Sequence, residues 1–383
     1  MQMTIFTRNL LLSLFVIYFA QGSFYPTGSI ISQGSLVVIL LLSGIYLVKT
    51  LQLINNKNMF YKAWTALLTL NVVGFFFTGS LANEYHFSMF KGIMITALPF
   101  YPFYHFARKG VLKSKHLLWF LVLILPVTIL QYFLNASQIL EGRISDNTNV
   151  VNNVAYSFVA LIPFVFFLKK KKIIGIGLML VLMFFIIQGA KRGALIAGII
   201  GLLCFVYFQL RTVPKKKRFK GFLLVLIAIA GMSYYAYDVY MSNEYLVSRM
   251  QSLSEGNTSE RYRIYLSLFN AWFESDSFLS LIFGFGFASS IVISDGSFAH
   301  NDWLELLSNF GLLGIIVYAI LFYSATKHLT SSVWDVDKRI MLLSILLIWF
   351  FSTLVSMSYT SGNGYIQTIL LAYLLGNKSK NLE

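Results

Sequence analysis

The residues of this chain best suited to chemistry are few, and most are basic. His300 stands in Phe298-Ala299-His300-Asn301-Asp302-Trp303-Leu304-Glu305, at the head of an apolar run. An imidazole at a helix N-terminus is biased toward its neutral form by the helix dipole, and neutral His is what a general base needs. The other reading is a structural histidine hydrogen-bonded to its loop. Asp302 suits an N-cap with Glu305 three residues on, a capping-box arrangement that gives both acids a structural reason. If the helix begins a turn earlier, His300, Leu304, Leu307, Gly311 and Gly314 share a face, and Glu305 points about 140° away, a poor partner for His300.

Lys191 and Arg192 occupy a very short turn, Gly189-Ala190-Lys191-Arg192-Gly193, between two apolar runs. They can snorkel to phospholipid headgroups or grip a phosphate, for which the planar fork of Arg is the better shape. In Thr258-Ser259-Glu260-Arg261-Tyr262-Arg263-Ile264-Tyr265 the capping residues, followed by Leu268 and Trp272, suggest a short helix lying on a membrane. At helical spacing Arg261, Tyr265, Leu268 and Trp272 share a face, with Arg263 about 200° away. Arg261 is therefore the better candidate for reaching a lipid pyrophosphate, and Arg263 reads as a solvated charge or the partner of Glu260.

Other patterns carry less. Asp335-Val336-Asp337 looks like a metal-holding acid pair, but it lies among Lys338 and Arg339 in a short hairpin. Gly284-Phe285-Gly286 lacks the third glycine of a dinucleotide site and reads as a turn. No Walker loop, HExxH or GxSxG occurs. No metal and no cofactor is expected.

These residues must be positioned by apolar elements. Of 383 residues, 57% are hydrophobic and 12% charged, with a mean hydropathy of +0.71, against about 25% charged in a soluble domain. A soluble globular enzyme is excluded, and the fold class is an all-α polytopic membrane protein. Runs of spanning length predict about twelve transmembrane helices near 9–25, 34–48, 63–80, 91–107, 117–134, 153–168, 173–189, 193–210, 220–237, 303–325, 340–357 and 364–376. They form one membrane domain, 1–383, with a large extracytoplasmic loop at 238–302, between spans 9 and 10, carrying the short interfacial helix. Alternating the loops places 23 of the 30 basic residues and 3 of the 15 acids on one side, net +20, leaving −5 on the other. The positive-inside rule makes the basic side cytoplasmic, with both termini inside. The excess charge thus reads as topology and membrane-lipid contact, with no nucleic acid as partner. The single Cys204 excludes a disulfide within the chain.

The segment His300 to Gly314, a His-Asn followed by spaced leucines and Gly311-x-x-Gly314, resembles the signature of the bacterial O-antigen ligase and O-antigen polymerase family. Gly142-Arg143 through Asn149 and Asn153, then Lys191-Arg192-Gly193, then Arg261 with Tyr265 four on, and Phe283-Gly284-Phe285-Gly286 agree with it in order. Two departures are Lys191 where a Ser often precedes the arginine, and Leu281-Ile282 without the usual proline before Phe283. The resemblance implies a metal-independent glycosyltransferase whose donor is an undecaprenyl-diphosphate-linked glycan at the outer face of the bacterial cytoplasmic membrane. It gives His300 the role of base or acceptor-positioning group, and it gives Arg192 and Arg261 the pyrophosphate. Lys191, Arg143, Asn301, Arg263 and Tyr265 would contact substrate. The expected reaction is polymerisation of repeat units into O-antigen or capsule, with a chain-length regulator as a further protein partner. Ligation of the glycan to lipid A core is the nearest alternative, and a flippase or transporter of lipid-linked oligosaccharide a more distant one.

Overall fold

The computed structural model describes residues 2–51, 58–78, 84–141, 152–212, 218–242, 247, 261–360 and 364–377. Arg143 lies outside them. Among the described residues the chain is helical throughout, with no strand. In order the helices are α1 (Gln2–Phe19), α2 (Ile30–Leu51), α3 (Met59–Phe77), α4 (Glu84–Ala97), α5 (Phe100–Arg108), α6 (Ser114–Glu141), α7 (Ala155–Leu161) with a 3-10 continuation (Ile162–Leu168), α8 (Lys172–Gln188), α9 (Arg192–Thr212) and α10 (Arg218–Met241). There follow α11 (Arg261–Phe273), α12 (Phe278–Phe283), α13 (Ser289–Ile293), α14 (Asp302–Thr326) with a 3-10 turn (Lys327–Thr330), α15 (Val336–Val355) and α16 (Tyr365–Gly376). Seven, α1, α2, α3, α6, α9, α14 and α15, are long and apolar enough to cross a membrane.

Several expected spans differ in detail. Pro99, which has no amide hydrogen to donate, stands between α4 and α5, so the run at 91–107 is two helices. Pro163 opens the 3-10 continuation of α7 in the same way. The first helix lies earlier than 9–25: it ends at Phe19, and Arg8, expected in a loop before it, is buried inside it, its guanidinium donating to the Val111 carbonyl at 2.5 Å. Among its described residues, the region 238–302 carries the short helices α11 to α13 where a single interfacial helix was expected.

The core is α16, a helix apolar on nearly every side and buried along its length, as such a pattern requires. It packs closely on α5, where a Cβ on Gly376 would lie 2.6 Å from the Tyr104 carbonyl. Around it, α15 packs on α9 and α14 on α3. The outer faces remain apolar: Ile30, Ile173 and Phe77 are each more than 85% exposed, an unfavourable arrangement in water and the expected one against lipid.

The element that positions the site is α14, which is broken. Gly311 has φ 58° and ψ −149° inside it, a backbone region essentially restricted to glycine. The break frees carbonyls of the preceding turn. The turn after α12 fills their place: the Phe285 amide donates to the Ser308 carbonyl at 2.8 Å and the Gly286 amide to the Asn309 carbonyl at 3.1 Å. The two backbones approach so closely that a Cβ on Gly284 would lie 2.5 Å from the Phe310 nitrogen, and one on Gly311 2.6 Å from the Leu281 oxygen. The Gly284-Phe285-Gly286 turn therefore satisfies an interrupted helix, as buried backbone polar groups must be satisfied.

Candidate active site

His300 precedes α14 in a left-handed conformation, φ 50°, which costs a non-glycine residue energy and needs support from its surroundings. Three tethers provide it. The Tyr265 hydroxyl of α11 reaches the His300 carbonyl at 3.4 Å, and the Ala299 amide donates to Glu305 Oε2 at 3.1 Å. Asn301, the third, caps α14 by accepting from the Trp303 and Leu304 amides at 2.9 and 3.2 Å. Beneath the loop, Ile264 and Leu268 of α11 close on the fully buried Ala299.

The N-cap is thus Asn301, and the capping-box expectation for Asp302 and Glu305 is corrected. Both acids are buried completely inside the first turn of α14. Asp302 accepts from the Tyr318 hydroxyl at 2.7 Å and the Ser358 amide at 2.8 Å. Glu305 Oε1 accepts from Ser290 at 2.5 Å and Asn309 at 3.2 Å. Every carboxylate oxygen has a donor, so the two acids tie α13 and two loops to one helical turn. Sequence reasoning missed this network. The only trace it leaves is the spacing of Glu305 and Asn309 and the paired Ser289-Ser290, a pattern a solvated helix end would also show.

Cations gather where α15 ends. Arg261 Nη1 donates to the Val355 carbonyl at 3.1 Å, and Asn301 Nδ2 to the Leu354 carbonyl at 3.3 Å. These are among the orphan carbonyls at the negative end of the α15 dipole, where a guanidinium is favoured. Lys191 belongs to the same cluster. His300 is exposed to solvent on its outer side, yet partial desolvation by its neighbours, then the charges of Arg261 and Lys191, hold its imidazole below the ordinary histidine range. The neutral form expected from the helix dipole is favoured here chiefly by desolvation and two named cations. Tyr156 of α7 lies within electrostatic reach of Arg261.

The turn between α8 and α9 brings Lys191 in. Ala190 is left-handed at φ 50°, and a Cβ on Gly193 would lie 2.2 Å from the Tyr156 hydroxyl and 3.1 Å from Val355 Cγ2. The start of α9 is thereby pressed against α7 and the end of α15. Lys191 and Arg192 place two cations at a helix N-terminus, where the dipole is already positive, and an anion would relieve that arrangement. Arg192 is half-buried and makes no hydrogen bond to the cluster among the described residues. On α11 the face shared by Arg261, Tyr265, Leu268 and Trp272 is the one turned inward: Leu268 is buried and Trp272 donates to the Leu281 carbonyl at 3.0 Å. Arg263 is exposed, away from the cluster.

Elsewhere, Asp335 caps α15 through the Val336 amide at 2.7 Å and Asp337 pairs with Lys169 at 3.2 Å, so each acid of that triplet has a structural partner. The structure therefore joins His300, Arg261, Lys191, Asn301 and Tyr265 at one end of the bundle, an imidazole held below its ordinary pKa within electrostatic reach of two cations, an arrangement suited to accepting a proton beside an anionic group. No protein-family model matches the chain, and no curated protein matches it.

Proposed function

We propose that the chain is a membrane glycosyltransferase that polymerises polyprenyl-diphosphate-linked repeat units into a surface polysaccharide. The supporting observation is the meeting of a depressed-pKa His300 with Arg261 and Lys191 at one end of a bundle of apolar helices. In this reading a hydroxyl of the incoming unit attacks the anomeric carbon of the growing chain, and the bond from that carbon to the diphosphate oxygen breaks. His300 takes the hydroxyl proton. Arg261 and Lys191, with Arg192 at the neighbouring helix start, stabilise the charge developing on the departing polyprenyl diphosphate. About twelve spans, both termini cytoplasmic, and the 238–302 region outside would set this site at the outer face of the bacterial cytoplasmic membrane.

A transporter reading draws on a specific observation, the two carboxylates buried in a discontinuous helix, a feature of many transporters. Against it, all four carboxylate oxygens of Asp302 and Glu305 already hold protein donors, which suits scaffolding better than ion coupling. The deciding assay supplies purified protein in lipid nanodiscs with polyprenyl-diphosphate-linked repeat units and resolves the products by size. A ladder that disappears in His300→Ala and Arg261→Gln supports the proposal. A ladder unchanged in His300→Ala, with the variant inserted normally, ends it. In cells, loss of the protein should leave glycan capped at a single repeat, whereas polymer accumulating on the carrier lipid would indicate the ligase.

A further inference from the structure

A second feature lies along α3 and α14, beyond the His300 cluster. Between the two helices runs an open apolar groove of about 480 Å³, walled by Thr65, Thr69 and Val73 of α3 and by Leu313 and Val317 of α14. The Thr65 hydroxyl is turned away to the Tyr61 carbonyl at 2.8 Å, with the Tyr101 hydroxyl donating to it at 3.1 Å, so its methyl faces the groove. From Lys62 to Val73 the wall rises about 16 Å, close to one leaflet of a hydrocarbon core about 30 Å thick.

One end of this groove is charged, with a second lysine close beyond its lining. Lys62 lines it from α3. Lys327 opens the 3-10 turn that continues α14, and its ammonium lies 3.8 Å from the sulfur of Met59, one turn before Lys62 on α3. It also stands 4.7 Å over the Tyr323 ring. Both lysines are exposed, and neither forms an ion pair among the described residues. Apolar walls of leaflet length ending in two unpaired cations match one ligand chemistry, a hydrocarbon chain with an anionic phosphate at its head.

We propose that this groove is a binding site for one anionic phospholipid, its acyl chain against Thr65, Thr69 and Val73 and its phosphate between Lys62 and Lys327. The site lies at the far end of α14 from His300. It is independent of the reaction assigned to that residue. A lysine near an anionic headgroup is worth about 1 kcal/mol, roughly fivefold, so removing both lowers affinity about 30-fold.

Native mass spectrometry of the full chain, titrated with phosphatidylglycerol or phosphatidylcholine, tests this. The wild type should retain one phosphatidylglycerol in preference to phosphatidylcholine. The double variant Lys62→Ala/Lys327→Ala should lose that preference by about 30-fold, and Thr69→Phe, which fills the groove and keeps both lysines, should lose the bound lipid. An undiminished preference in the double variant, retention in Thr69→Phe, or a polyprenyl phosphate as the copurifying species would overturn the proposal.

Discussion

Replacing Gly311 with alanine probes the element on which the site is built. The backbone there, φ 58° and ψ −149°, costs a side-chain-bearing residue about 1–3 kcal/mol. The added Cβ would also sit 2.6 Å from the Ile282 carbon and the Leu281 oxygen and 2.7 Å from the Gly284 nitrogen. All three are backbone atoms, so relief requires moving the turn after α12, which strains the Phe285-to-Ser308 and Gly286-to-Asn309 hydrogen bonds. With each bond worth a net 0.5–1.5 kcal/mol or so, the loss comes to about 2–6 kcal/mol, a melting temperature lower by roughly 3–7 °C for a chain of this length. The control is Gly44→Ala in α2, whose Cβ meets nothing within 4 Å and which should be neutral or stabilising by up to about 1 kcal/mol. Thermal unfolding in detergent checks both. Gly284→Ala should cost as much, and the double variant markedly less than the sum, because both break one interlock. If Gly311→Ala melts with Gly44→Ala, the account of α14 as a broken helix held by the glycine turn is wrong.

Two further outcomes follow from the site. Removing a cation that depresses the His300 pKa must raise it, so Arg261→Gln should move the imidazole titration, followed by NMR, to higher pH, and Lys191→Gln should do so by less. Glu305→Leu leaves the Ser290 hydroxyl, the Ala299 amide and the Asn309 amide group without their acceptor. It should cost at least about 2 kcal/mol of stability and lower turnover by loosening the His300 loop, whereas Glu305→Gln, which keeps an acceptor oxygen, should retain more of both on melting and product-ladder assays.

The apolar runs made the helices legible, because burial in lipid or in α16-like surroundings demands long unbroken stretches of such residues. Their boundaries were less so. Arg8 inside α1 looks like a loop residue until the carbonyl of Val111, distant in sequence, is brought to it. The inward face of α11 could be read from 3.6-residue spacing, which is local. The capping of α14 could not be read correctly, since Asn301 and Asp302 are both good caps and only the placement of Tyr318 and Ser358 draws Asp302 inside. The convergence of Lys191, Arg261 and His300 depends on where α9, α11 and α15 end relative to one another, and no spacing within any one segment carries that.

The contact between Arg261 and the Val355 carbonyl at the end of α15 would bear on turnover in the proposed reaction. A guanidinium already facing a helix's negative end holds an anion less firmly than one with nothing before it. In the proposed reaction, whose by-product is a polyprenyl diphosphate, that moderation would favour release, since grip that is equal before and after reaction slows each cycle without lowering the barrier. The end of α15 thus competes with any bound anion for the same cation, and in the proposed reaction the strength of that contact would set how long the spent carrier stays.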